Sequence, residues 1–148
     1  MNMISISKHL LLSVLFLLVI VSASAQRVGD IRWSADGGST IVYKNNQLVQ
    51  TELSTGKETV LMSADQFKQN GSAIKPSGYS FSQDQSMLLV FTNTARVWRY
   101  NTRGDYWVYY KSTSQWKQVG KNRPSQTLMF AKLSPDGAWL WARRFGSA

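Results

Sequence analysis

Arg32-Trp33-Ser34-Ala35-Asp36-Gly37 recurs as Ser80-Phe81-Ser82-Gln83-Asp84 and again as Lys132-Leu133-Ser134-Pro135-Asp136-Gly137. The aspartates stand 48 and 52 residues apart. Each copy sets an apolar residue before Ser-x-Asp and a second apolar run after it, the pattern of a tight turn between two antiparallel strands. In such a turn the Ser or Asp side chain bonds nearby backbone N–H groups, and glycine takes the positive φ. Two further strands fit between one copy and the next. Four strands in roughly 40 to 50 residues is the period of a β-propeller blade; an all-β sandwich with a chance Ser-x-Asp turn is the competing reading.

Working outward, short runs rich in Val, Tyr, Trp, Ile and Thr are broken every eight to twelve residues by Gly, Asn, Asp or Ser. Strands are expected at 30–34, 40–44, 47–52 and 58–62, then at 77–82, 86–92, 96–100, 105–110 and 115–119, and finally at 129–134 and 138–143. No sustained 3.6-residue periodicity follows the N-terminal apolar run. The reading is an all-β chain of antiparallel four-stranded blades: one from Gly29 to Val60, a second from Gly78 to Gly120, and half of a third from Met129. A ring needs roughly four to eight blades, so about two and a half make an incomplete β-propeller. The blade faces expected to lie uncovered carry Trp98, Trp107 and Trp139, which implies self-association or a longer chain.

Residues 1–25 read as a secretory signal peptide. Lys8 and His9 precede the apolar run Leu10–Val21, and Ala23-Ser24-Ala25 supplies an A-x-A cleavage site. The run falls short of the roughly 20 residues a spanning helix needs, so no stable membrane span is expected after cleavage. Residues 26–148 form the exported domain, in the periplasm, at the cell surface or in the medium. The chain has no cysteine, so neither disulfides nor a lipid on an N-terminal cysteine contribute. The net charge of +9 comes from scattered Lys and Arg, with only Arg143-Arg144 adjacent. Such cations are expected on solvated faces and sheet edges, with no nucleic acid as partner.

The chemistry available is narrow. The one histidine is His9, so Ser-His-Asp and Cys-His catalysis and His- or Cys-based zinc sites are excluded from the exported part. There is no G-x-S-x-G elbow and no phosphate-binding glycine loop. Of the eight carboxylates, Asp36, Asp84 and Asp136 belong to the repeated turn, and Asp30, Glu52 and Glu58 sit at strand ends. Asn45-Asn46 lacks the adjacent Asp a calcium site would want, so no cofactor is expected. Asn70-Gly71-Ser72 fits a glycosylation sequon, a short motif common by chance.

The densest cluster is Val97-Trp98-Arg99-Tyr100-Asn101-Thr102-Arg103-Gly104-Asp105-Tyr106-Trp107-Val108-Tyr109. Two aromatic strands are expected to flank a turn at 101–104, with Arg99 close to it. The pattern suits a cross-strand aromatic ladder with a solvated arginine. It equally suits an arginine held at a blade edge to grip a carbonyl or carboxylate, for which the planar guanidinium fork is apt.

Tyr79-Ser80-Phe81-Ser82, Leu88-Leu89, Thr92-Asn93-Thr94, Val97-Trp98-Arg99-Tyr100, Tyr106-Trp107-Val108 and Leu128-Met129-Phe130-Ala131-Lys132-Leu133-Ser134-Pro135-Asp136-Gly137 stand in an order that resembles the N-terminal propeller of the dipeptidyl peptidase IV family of serine exopeptidases. Ile31–Leu61 fits more loosely as the preceding blade. The resemblance implies an eight-bladed propeller placed before an α/β-hydrolase domain, and release of N-terminal dipeptides with Pro or Ala second. It implies that Arg99 contacts the peptide carbonyl near the cleaved bond. The family's paired glutamates and its catalytic Ser, Asp and His lie in later segments, so no catalytic residue and no metal ligand is placed here. A peptide substrate is then a partner only within a full-length member. The chain is expected to be a truncated member, inactive alone; a small stand-alone propeller-like module binding peptide or protein is the alternative.

Overall fold

The computed structural model describes residues 30–144, so the expected signal peptide lies outside the described residues. Those residues hold twelve strands and no helix. The first blade is a four-stranded antiparallel meander of β1 (Arg32–Trp33), β2 (Ser39–Lys44), β3 (Gln47–Glu52) and β4 (Glu58–Met62), in spatial order β1-β2-β3-β4. Asn45 and Asn46, at φ +51° and +60°, close the two-residue turn between β2 and β3, where Lys44 pairs with Gln47. Positive φ at both central residues gives the twist that a hairpin needs, and asparagine tolerates it.

The second blade contains β7 (Gly78–Phe81), β8 (Met87–Val97), β9 (Tyr100–Tyr110) and β10 (Gln115–Gln118). Between the blades lies a small hairpin that the sequence reading lacked, β5 (Lys68–Gln69) paired with β6 (Ser72–Ala73). The third blade is represented by β11 (Leu128–Leu133) and β12 (Leu140–Arg144). It is not a separate sheet: β11 pairs with the upper part of β9, Leu128 opposite Gly104 and Met129 opposite Arg103, giving the order β12-β11-β9-β8-β7 with β10 on the lower part of β9. The count of about two and a half blades holds for the described residues.

The repeated turn folds the same way three times. Ser34, Ser82 and Ser134 donate their hydroxyls to Asp36, Asp84 and Asp136 at 2.5, 2.6 and 2.5 Å. Each aspartate accepts the backbone N–H two residues on, and each serine hydroxyl accepts the N–H five residues on. Gly37, Gln85 and Gly137 take the left-handed position at φ +72°, +57° and +69°. These bonds hold all three carboxyls below the ordinary range, led by the serine hydroxyl, and that of Asp84 at about 2, where Ser86 adds to Ser82.

Strict alternation along the long strands buries both faces of the second blade. Leu88, Val90 and Tyr109 face the first blade and pack with Ile41, Leu48 and Met62. Met87, Leu89, Tyr106 and Val108 face the third, against Leu128, Ala131, Leu133 and Leu140. Phe67, just before β5, is the wedge between the first two blades. It is 2% exposed and lies 5.1 Å from the ring of Tyr43 and 5.8 Å from that of Trp116. Polar ties cross the same seam: Tyr79 Oη donates to the Ile41 carbonyl at 2.7 Å, and Trp116 Nε1 to the Gln66 carbonyl at 2.7 Å.

The expected uncovered faces are corrected in two places. Trp107 is half-buried against the first core cluster, and Trp98 belongs to a turn rather than a blade face. Trp139 is exposed as expected, together with Trp33 and Trp141.

Candidate functional site

Arg99 stands at the free end of the longest hairpin among the described residues. Strands β8 and β9 are eleven residues each. They run in register from Met87 opposite Tyr110 to Thr92 opposite Asp105, slip at a bulge, and finish with Arg96 opposite Asn101 and Val97 opposite Tyr100. The turn is therefore Trp98-Arg99, not 101–104, and the strand expected at 96–100 is the two sides of that turn. Trp98 sits at φ +59°, a costly conformation for a bulky side chain. It is 93% exposed and Tyr100 is 73% exposed.

The lower half of the hairpin is core and the upper half is arm, and the bulge at Asn93 divides them. Asn93, at φ +44°, leaves the ladder and donates Nδ2 to Asp105 Oδ2 at 2.8 Å. Ser125 Oγ donates to the same oxygen at 2.7 Å, and the Gln126 backbone N–H donates to Asp105 Oδ1 at 2.8 Å. Gln126 Nε2 returns to Asn93 Oδ1 at 3.0 Å. Partial burial alone would raise the Asp105 pKa, but the bonds from Asn93, Gln126 and Ser125 outweigh it and hold the carboxyl below its ordinary value. This knot ties the base of the arm to the segment that leads into β11.

Gly104 makes the crossing possible. A Cβ there would lie 2.5 Å from Phe91 Cε2 and 2.6 Å from the Thr92 carbonyl oxygen, so only glycine lets β9 pass β8 at this level. Phe91 covers the bare backbone and stacks on Tyr106, ring centroids 4.7 Å apart at 21°. The aromatic ladder expected across the hairpin therefore exists in its lower half, where Phe91 pairs with Tyr106, and not around Arg99.

Arg99 is exposed and makes no hydrogen bond or ion pair with any described residue. It lines neither of the two larger grooves. One, of about 450 Å³, lies between the β5–β6 hairpin and Trp107; the other, of about 480 Å³, lies among Arg32, Tyr79, Phe91, Tyr106 and Lys132. The remaining carboxylates are occupied structurally: Asp30 with Arg32, Glu58 with Lys44, Asp65 with Lys68, and Glu52 accepting the Thr55 hydroxyl at 2.6 Å. No group of three or more metal-ligating side chains occurs among the described residues, and no helix there is long and apolar enough to cross a membrane. The sequence reading missed the Asn93–Asp105–Ser125–Gln126 knot, whose members lie up to 33 residues apart.

Residues 82–142 match the family described as the dipeptidyl peptidase IV (DPP IV) N-terminal region. Dipeptidyl aminopeptidase B of Saccharomyces cerevisiae is 27% identical over 99 residues, 62% of this chain and 12% of that protein. A probable dipeptidyl-aminopeptidase B of Uncinocarpus reesii is 26% identical over 103 residues, 68% of this chain and 11% of that protein. The chain thus spans about an eighth of the length of the curated relatives it matches. Among solved structures, Porphyromonas gingivalis dipeptidyl peptidase 4 superposes with a TM-score of 0.69 over 84% of this chain and 18% of its own, at 20% identity, which bears on the fold alone.

Proposed function

We propose, starting from a chain that belongs through residues 82–142 to the N-terminal region of the dipeptidyl peptidase IV family, that it serves as the front of the propeller of an exported dipeptidyl peptidase IV-like serine peptidase. In this reading the β8–β9 arm carries Arg99 toward the peptide substrate, where the guanidinium donates to a backbone carbonyl near the bond that is cleaved. The observation that carries it is an unpaired, exposed arginine at the apex of an arm whose base is fixed by four polar side chains. A guanidinium already free of partners gives up no ion pair on meeting a carbonyl, and a rigid base limits the entropy lost on binding.

Taken alone, the chain should bind peptide weakly and hydrolyse none, because residues 26–148 contain no histidine to activate a serine. Release of the chromophore from a Gly-Pro chromogenic substrate by the purified chain would refute that. In a full-length protein bearing this segment, Arg99→Ala should lower kcat/KM by about 30-fold, the equivalent of a ~2 kcal/mol charge-assisted hydrogen bond. Unchanged kcat/KM would remove Arg99 from substrate contact.

The stand-alone module has one observation in its favour. Trp33 at one end of the described sheets and Trp139 and Trp141 at the other are 60% exposed or more, and surfaces of this kind promote self-association. Sedimentation of the purified chain distinguishes the two: a single closed oligomer supports the module, and a monomer or open-ended aggregate opposes it.

A further inference from the structure

Asn70-Gly71 is the only Asn-Gly pair in the sequence. It forms the tip of the β5–β6 hairpin, with Asn70 at φ +50° and Gly71 at φ +77°. Asn70 is exposed, and its carboxamide makes no hydrogen bond to any described residue. Around Gly71 a Cβ would meet nothing within 4 Å, so the approach to its backbone nitrogen is open. The hairpin has two residues in each strand, with Lys68 opposite Ala73 and Gln69 opposite Ser72. The Ile74 N–H bonds the Phe67 carbonyl at 2.8 Å and anchors the base in the core, so the two-residue ladder above it is the part that is marginal and opens locally.

We propose that Asn70 is a site of spontaneous deamidation, gated by opening of this hairpin. The reaction needs only base and water. The Gly71 backbone nitrogen loses its proton and attacks Asn70 Cγ; the C–N bond of the carboxamide breaks and ammonia leaves, closing a five-membered succinimide. Water then adds to one ring carbonyl: at the side-chain carbonyl the Cγ–N bond breaks and aspartate results, and at the main-chain carbonyl the C–N bond breaks and the chain runs on through Cγ as isoaspartate. No redox partner enters. Glycine at the following position places no side chain in the path of attack. The other asparagines precede Met3, Asn46, Gln47, Thr94, Thr102 and Arg123, and Asn93 has both side-chain polar atoms engaged as well. In the closed hairpin a two-residue turn fixes the backbone of both residues, so attack waits for opening.

The product changes the surface it stands on. Asn70 borders two adjoining grooves, of about 450 and 400 Å³, whose lining includes Lys75, Lys117 and Lys121 and no carboxylate. Deamidation puts the first negative charge there. Isoaspartate also adds a methylene to the backbone, which a two-residue turn cannot absorb, so β5 and β6 should not re-pair.

The test is incubation of the freshly purified full chain in mildly alkaline and mildly acidic buffer, followed by peptide mapping with fragment spectra and labelling by an isoaspartyl methyltransferase. Asn70 should gain one dalton before any other asparagine, several-fold faster in alkali, and faster again in denaturant. Gly71→Ala should slow the reaction several-fold even though alanine strains a left-handed turn and favours opening, so a purely structural effect would have the opposite sign. Earlier reaction at another asparagine would overturn the site, and equal rates in native and denatured chain would overturn the gating. A sugar on Asn70 in exported protein would overturn both, because the glycan occupies the leaving nitrogen.

Discussion

Replacing Asp105 by alanine removes the acceptor at the centre of the knot at the base of the arm. Three donors lose the carboxylate: Asn93 Nδ2, which keeps Ser125 Oγ as an acceptor at 2.8 Å, Ser125 Oγ itself and the Gln126 backbone N–H. Hydrogen bonds to a charged group contribute about 1.5–3 kcal/mol when buried, but the first two lie at the solvent edge, where screening brings such contacts to ~0.5 kcal/mol. The third is partly buried and counts for ~1 kcal/mol. The sum is about 2 kcal/mol, a ~30-fold rise in the equilibrium for opening the arm. Because the folded carboxyl titrates below its ordinary value, its contribution is complete above the unfolded pKa of 3.8 and drains away as pH falls through that value to the folded one. Urea unfolding followed by tryptophan fluorescence, at neutral pH and again below about pH 3, measures both effects. The difference between the parent chain and the Asp105→Ala chain should be about 2 kcal/mol in the first condition and smaller in the second, where protonation removes the charged acceptor. Hydrogen exchange should show the loss confined to amides of β8 and β9 above Thr92 and to the entry into β11. A pH-independent difference, or one spread over the first blade, would refute the assignment of Asp105 as the tie between arm and third blade.

Gly104→Ala should cost about 2 kcal/mol, since the backbone oxygen of Thr92 cannot yield as the Phe91 ring can; thermal unfolding is the check. Tyr79→Phe strips the hydroxyl from the Ile41 carbonyl, and denaturant unfolding should register a loss of about 1 kcal/mol. Burial pushes the Tyr79 hydroxyl up to about 12, so its contribution stands below pH 10 and is lost as pH rises from about 10 to about 12, which ultraviolet titration of phenolate can follow. Phe67→Ala should be the most damaging of these changes at about 4 kcal/mol, and it should separate the first two blades as judged by increased protease sensitivity between β4 and β7.

The repeated turn was fully legible because its chemistry is local. Serine, aspartate and a left-handed position lie within a few residues of one another, and the same side-chain bonds recur whatever the blade packs against. The first blade's strands followed directly, whereas the join of β11 to β9 did not, because it depends on pairing across more than twenty residues. The β5–β6 hairpin was not legible because its strands have two residues each, too few for a periodicity, although Asn70-Gly71 is the strongest short hairpin signal in the chain.

The arm shows how a turn signal can be outvoted by tertiary geometry. Asn101 and Gly104 suggest a turn, yet both lie inside β9, and the chain reverses at Trp98-Arg99, where propensity opposes it. The reason lies in the two alternating runs, Met87–Phe91 and Tyr106–Tyr110. Each presents apolar side chains to both cores, so their pairing is set by burial, and Met87 opposite Tyr110 fixes the axis of reversal midway between 98 and 99. Asn93 and Gly104 do not make turns because they serve that register: one leaves the ladder at the bulge, the other lets the strands pass. The weakly buried arm is then carried along by the core below it, and Arg99 is delivered to the apex by packing that it takes no part in. A sequence reading centred on the symmetry of the buried runs, rather than on turn-forming residues, would have placed it there.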